Sequence, residues 1–186
     1  MGAPGSDGAD GAGGPDVSRR DEVLDAAARI LEDGGPEAVT MRRLAEALGV
    51  RAPSLYKHVR GKPEILAALQ ERALRGIAEA LAPAGDDLAA MARAYRAWAR
   101  ANPRLYELST RRPLDRERLP PGVEEAAAAP ILRAAGGDRD AARALWGLAH
   151  GLVDLENAGR FPPDADVDAA WTYAITALRT ASVRRA

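Results

Sequence analysis

The chain has 186 residues, of which 47% are hydrophobic but only 4% aromatic, with a formal net charge of −1 and no cysteine. The missing thiol excludes disulfides, thiolate metal sites and a cysteine nucleophile, and it fits a reducing cytoplasm. No apolar run approaches the ~20 residues of a membrane span, and the N-terminus lacks the basic and apolar blocks of a signal peptide. A soluble cytoplasmic protein with no membrane partner is therefore expected. Alanine, leucine and arginine dominate, and no alternating apolar run is long enough to seed a sheet, so the fold class is all-α.

Residues 1–17 hold six glycines and two prolines. They cannot bury enough apolar surface to offset the entropy of ordering, and a disordered tail is expected there. Ser18 with Asp21 has the form of a capping box and opens a first helix, with Val23, Ala27, Ile30 and Leu31 on one face. Asp33-Gly34-Gly35-Pro36 ends it. Thr40 is a natural N-cap for a short second helix, closed by Gly49, and Pro53 suits the first position of a third, stopped by Gly61. Lys62-Pro63-Glu64 starts a long fourth helix reaching about Leu81, and Pro83-Ala84-Gly85 marks the boundary of a small N-terminal domain. Leu88, Met91, Tyr95 and Trp98 stripe a fifth helix, broken by Asn102-Pro103 before a short one through Leu105 and Leu108. Residues 111–122 read as a mobile loop. Ala126–Ala135, about 138–159 and about 165–183 complete a set of about nine helices.

The segment 40–62 carries Arg42, Arg43, Arg51, Lys57, Arg60 and Lys62 against Glu46 alone, a local balance of +5 in a nearly neutral chain. Its layout of short helix, glycine turn and second short helix is that of a DNA-binding helix-turn-helix. Ala45, Leu48, Val50, Leu55 and Val59 can pack the pair against the first helix. That leaves Ala52, Pro53, Ser54, Tyr56, Lys57 and His58 on the outer face, where hydroxyls, a base and an imidazole suit groove edges and phosphates. A plain helical hairpin is the competing reading.

Thr40, Leu44-Ala45, Leu48-Gly49-Val50, Leu55-Tyr56-Lys57-His58-Val59 and Gly61-Lys62 together resemble the DNA-binding domain of the TetR family of transcriptional regulators. The resemblance is strong over 18–66. It implies a DNA-binding domain at 18–64 and a ligand-binding and dimerisation domain at 65–186. It also implies a homodimer on palindromic operator DNA, and a repressor released by an apolar small-molecule effector. The alternative is a regulator without a small-molecule ligand. By resemblance, Tyr56 and His58 meet phosphates, Thr40 and Arg42 clamp the DNA backbone, and Lys62 anchors a phosphate at a helix N-terminus. Arg51, Ala52, Ser54 and Lys57 hold the base-choosing positions. A local cap for Ser54, a core phenol for Tyr56 and a helix C-terminal cap for His58 stay open.

Further on, Trp146 and His150-Gly151, with Leu105-Tyr106 after Asn102-Pro103, resemble a subgroup of the family's effector domains marked by Trp, His and Gly on the eighth helix. Met91, Tyr95, Trp98, Tyr106, Trp146 and His150 are candidate lining residues of an effector cavity, although each could equally fill core. Leu145, Leu148, Leu152 and Leu155, with Trp171, Ile175 and Leu178, stripe the last two helices and are candidates for a dimer interface, intrachain core being the alternative. His150 and Asp154 are two possible metal ligands without a third, so no metal is assigned. Two histidines, no phosphate-cradling loop and no nucleophile elbow argue against an enzyme, and no cofactor is implied.

Overall fold

Helix starts and stops written into the sequence shape the whole architecture. In the computed structural model, residues 18–183 are described, with side chains through Ala177. The tail expected over 1–17 and the side chain of Leu178 lie outside the described residues. Among those residues the elements run α1 (Arg19–Gly34), α2 (Met41–Ala47), α3 (Ala52–Leu55), α4 (Lys62–Leu81), α5 (Leu88–Ala101), α6 (Pro103–Arg111), α7 (Val123–Ala134), α8 (Arg139–Asn157) and α9 (Val167–Val183). The only other helical piece among them is a 3₁₀ turn at Ala82–Ala84. The Ser18 hydroxyl accepts the Asp21 N–H at 3.2 Å, and the Thr40 hydroxyl accepts the Arg43 N–H at 3.2 Å, satisfying orphan donors of α1 and α2. No described helix is long and apolar enough to cross a membrane.

Two cores form. The first joins Val23, Ala27, Leu31, Leu44, Leu55 and Val59 of the first three helices and their flanks with Ile65, Leu69 and Ala73 of α4 and Leu105 and Leu108 of α6. The second gathers Leu81, Met91, Tyr95, Ala99, Tyr106, Val153 and Trp171. Successive residues of α6 thus serve different cores: Leu105 and Leu108 pack into the first, Tyr106 into the second. Packing crosses residues 64 and 65, where the sequence places a domain boundary. A Cβ on Gly76 of α4 would lie 2.8 Å from the Trp98 indole nitrogen, so this glycine lets α5 lie close against α4.

The segment after α6 is irregular over 112–122 and is held against α4. Gln70, buried in α4, donates to the carbonyls of Leu108 at 3.3 Å and Pro113 at 3.1 Å and accepts the Asp115 N–H at 3.2 Å. One amide satisfies three backbone groups and fastens the irregular chain to α4. The seventh helix begins at Val123, not Ala126: Gly122 turns the chain with φ 84° and Val123 is buried. It also runs through a buried Pro130, which alanine-rich composition alone does not announce.

Candidate nucleic-acid interface

The helix-turn-helix stands on α1. Leu44, Ala45, Leu55 and Val59 are buried in the first core, with Leu48 and Val50 packed at its margin. Gly49, at φ 64°, makes the turn, and the Val50 N–H returns to the Ala45 carbonyl at 3.0 Å. Arg51 stays extended and α3 follows, with Ala52 at its first position and Pro53 at its second, one residue later than the sequence suggests. After Leu55 the chain holds a tight turn, the His58 and Val59 N–H groups both bonding the Leu55 carbonyl at 2.9 and 3.0 Å.

What this frame leaves outside is Arg42, Arg51, Pro53, Tyr56, Lys57 and His58, all exposed. Tyr56 is 57% exposed, so its ring is no core phenol. Ala52 and Ser54 are half-buried, and the Ser54 hydroxyl donates to the Arg51 carbonyl at 2.6 Å, holding the helix start while its oxygen remains an acceptor. The Thr40 hydroxyl is taken up by its cap. Arg42 is held loosely by Glu46 at 3.8 Å.

Lys62 begins α4 directly after Gly61, whose φ of 140° and ψ of −173° belong to a region open essentially to glycine. Its Nζ lies 3.0 Å from one carboxylate oxygen of Glu37, and Arg112 donates to the other at 2.5 Å. The Lys62 ammonium first, then the Arg112 guanidinium, hold the Glu37 carboxyl below the usual carboxylate range. Glu37 and Arg112 carry no local sequence signal, being separated by 75 positions.

The region expected to take an effector is polar in its details. Tyr106 and His150 share a hydrogen bond of 2.5 Å between the phenol and Nδ1, and the Tyr95 hydroxyl donates to that of Tyr106 at 3.4 Å. Burial pushes both tyrosine hydroxyls above their ordinary range, that of Tyr106 well above it. Met91, Tyr95 and Tyr106 are buried, while Trp98 and His150 are half-buried. Asp154 bonds Arg111 at 2.6 Å and His150 bonds Tyr106, so the pair weighed as metal ligands is occupied otherwise.

The two late tryptophans differ in exposure. Trp171 is buried in the second core with the Arg96 guanidinium 5.9 Å over its ring, which corrects its assignment to a dimer surface. Trp146 is 49% exposed and stacks on His150, with ring centroids 5.8 Å apart. Periodicity puts Trp171 on an apolar face, but which neighbour takes that face depends on helix packing. The same distinction divides the leucine stripe. Leu145 is buried and Leu152 half-buried, Ile175 packs against the second core, and among the described side chains of the stripe Leu148 and Leu155 stand exposed, alongside Tyr173 on α9. Below that face Arg96 of α5 bonds Glu156 of α8 at 2.8 and 2.9 Å and also Asp168 of α9, and Arg100 adds a further bond to Glu156 at 2.6 Å.

Residues 23–69 match the family described as bacterial regulatory proteins, tetR family, and residues 88–178 match the tetracyclin repressor-like C-terminal domain. The uncharacterized HTH-type transcriptional regulator Rv0681 of Mycobacterium tuberculosis is 32% identical over 182 residues, covering 89% of this chain and 82% of that protein. The chain belongs to the TetR family. It is a DNA-binding transcriptional regulator, and the proteins it resembles are regulators and not enzymes. The tetracycline repressor protein class C of Escherichia coli is 46% identical over 56 residues, 30% of this chain and 26% of that repressor. Among solved TetR-like folds, regulatory protein SCO4313 superposes with a TM-score of 0.72 at 28% identity, covering 86% of this chain and 94% of its own.

Proposed function

We propose that this TetR-family chain is a homodimeric repressor that grips a palindromic operator through α3 and its flanks and releases it when a small apolar effector binds. The observation that carries the DNA reading is the sorting of one short segment: Leu55 and Val59 inward, Arg51, Pro53, Tyr56, Lys57 and His58 outward. Arg51, Ala52, Ser54 and Lys57 would read base edges, and Thr40, Arg42, Tyr56, His58 and Lys62 would meet the backbone. Dimerisation is supported by the exposed Leu148, Leu155 and Tyr173, beside Gly147 and Gly151, where an added Cβ meets open space. Two copies joined there would set their recognition helices on successive major grooves about 34–36 Å apart.

The effector would enter between α5, α6 and α8, against Met91, Tyr95 and Trp98, with the Tyr106–His150 pair as its polar handle. Stacking of Trp146 on His150 supports placing the chain in the subgroup marked by Trp, His and Gly. A regulator without a small-molecule ligand is the second reading, favoured by the burial of Met91, Tyr95 and Tyr106 among their own neighbours. Two measurements separate them: a compound that raises the melting temperature and lowers operator affinity, with saturating operator lowering affinity for the compound by the same factor, supports the first.

The DNA reading is tested by titrating labelled duplexes at several salt concentrations. Lys62→Ala should weaken binding to every sequence and flatten the slope of log affinity against log salt by about 0.9, whereas Lys57→Ala should change sequence preference. An unchanged slope for Lys62→Ala refutes the anchor. Leu155→Arg buries an unpaired charge in the proposed interface and should give folded monomers in sedimentation; an intact dimer moves the interface elsewhere.

A further inference from the structure

We propose that Glu37 competes with DNA phosphate for Lys62, and that Arg112, on the segment after α6, sets how strongly it competes. The inference rests on the phosphate-anchoring reading of Lys62. Three distant stretches meet at one carboxylate: the turn between α1 and α2 supplies Glu37, the start of α4 supplies Lys62, and the end of α6 supplies Arg112. Each carboxylate oxygen holds one cation. The Glu37 side chain is 77% exposed and that of Lys62 only 32%, so the anion is the partner that solvent and other oxyanions can replace. Lys62 and Arg112 also line one open cleft of about 410 Å³ with Pro63, Leu66, Leu108 and Pro113.

A carboxylate and a phosphate make the same demand on an ammonium group. They repel one another, so Lys62 cannot serve both at full strength. An exposed Lys–Glu pair is weak, which makes Glu37 an attenuator of DNA affinity and no block. Arg112 weakens the competitor by sharing its charge. With Arg112 in place the three groups sum to one positive charge, and without it Lys62 and Glu37 cancel. The Arg112 backbone is steadied from its neighbour, since the Pro113 carbonyl accepts from buried Gln70 at 3.1 Å. Lys62 thereby depends on a residue of the effector half of the chain.

The experiment is a double-mutant cycle on the full chain, read by anisotropy of a fluorescein-labelled mixed-sequence duplex across a salt series, with melting curves as the folding control. Glu37→Gln should tighten binding about two- to fivefold and steepen the salt slope by up to about 0.9. Arg112→Ala should weaken binding by a similar factor alone and have little effect in the Glu37→Gln background. Tightening by Glu37→Gln should vanish when Lys62 is also alanine. Weaker or unchanged binding by Glu37→Gln overturns the proposal, as does a loss by Arg112→Ala that persists without the carboxylate, since Arg112 would then itself meet DNA. If Lys62→Ala weakens binding while Glu37→Gln is silent, the competitor alone fails. If Lys62→Ala is silent in both backgrounds, the anchor reading fails and the proposal falls with it.

Discussion

The two cores of this regulator are built from different chemistry. The one under the helix-turn-helix is made of valine, leucine, isoleucine and alanine, with the Trp98 ring touching only its margin. Such a core is held by shape and by apolar area removed from water, and it gives α2 and α3 a firm floor. The second contains Met91, two tyrosines and Trp171, with hydroxyls that must be answered by His150 and an arginine–carboxylate cluster at its edge. Beyond it lie Trp146, Leu148, Leu155 and Tyr173, exposed in the single chain. The comparison teaches how each core is held: the first by close apolar packing, the second also by polar groups that must find partners, because an unpaired buried polar group is costly.

Truncation in the first core should have the largest effect. Leu69 is fully buried there, and Leu69→Ala should cost about 3 kcal/mol in urea unfolding and carry DNA binding down with it. Because α4 and α6 pack into both cores, one cooperative transition is expected. Two separate transitions, with only one moved, would break the picture of cores coupled through shared helices.

A smaller loss is expected at the charged edge of the second core. Glu156→Gln should cost about 2 kcal/mol, since Arg96 and Arg100 lose a charged acceptor. The sign with pH follows from the carboxyl. Arg96 holds it below its ordinary value of 4.5, so its stabilisation is complete above that value and fades as acid protonates it in the folded state. The glutamine variant should lack this acid-side decline, and parallel curves of urea midpoint against pH for the two proteins would refute the assignment.

Gly76→Ala should have the smallest effect, a net loss of about 1 kcal/mol. Crowding of the Trp98 ring, whose nearest atom would lie 2.8 Å from the new Cβ, outweighs the helix-propensity gain of alanine. A melting temperature raised by Gly76→Ala, with Trp98 fluorescence unchanged, would show that the two helices have room to part.

Much of the fold and of the exposed face of the helix-turn-helix was legible because the signals are local. A serine or threonine ahead of a helix, a glycine at positive φ after one and an apolar repeat near 3.6 residues act within a few positions of themselves. They are enough for an all-helical chain, for α1 to α4 and for the outward set from Arg51 to His58. Arg51 and Lys57 need no tertiary information to stand outside, because Leu55 and Val59 claim the inner face. Where the local signal was weak, as at the start of α7, the expected boundary differed from the structure, which begins the helix at Val123 and not at Ala126.

Tertiary structure alone decided which neighbour each face meets. Leu148 of the α8 stripe and Trp171 of the α9 stripe differ, one exposed and the other buried, because the packing of α8 and α9 on α5 has no counterpart in either helix's periodicity. Glu37, Lys62 and Arg112 likewise read as scattered surface charges until folding joins them on one carboxylate. Periodicity is set by backbone geometry over a few residues, whereas pairing between distant residues is set by how whole helices pack, and one sequence pattern is compatible with several such packings.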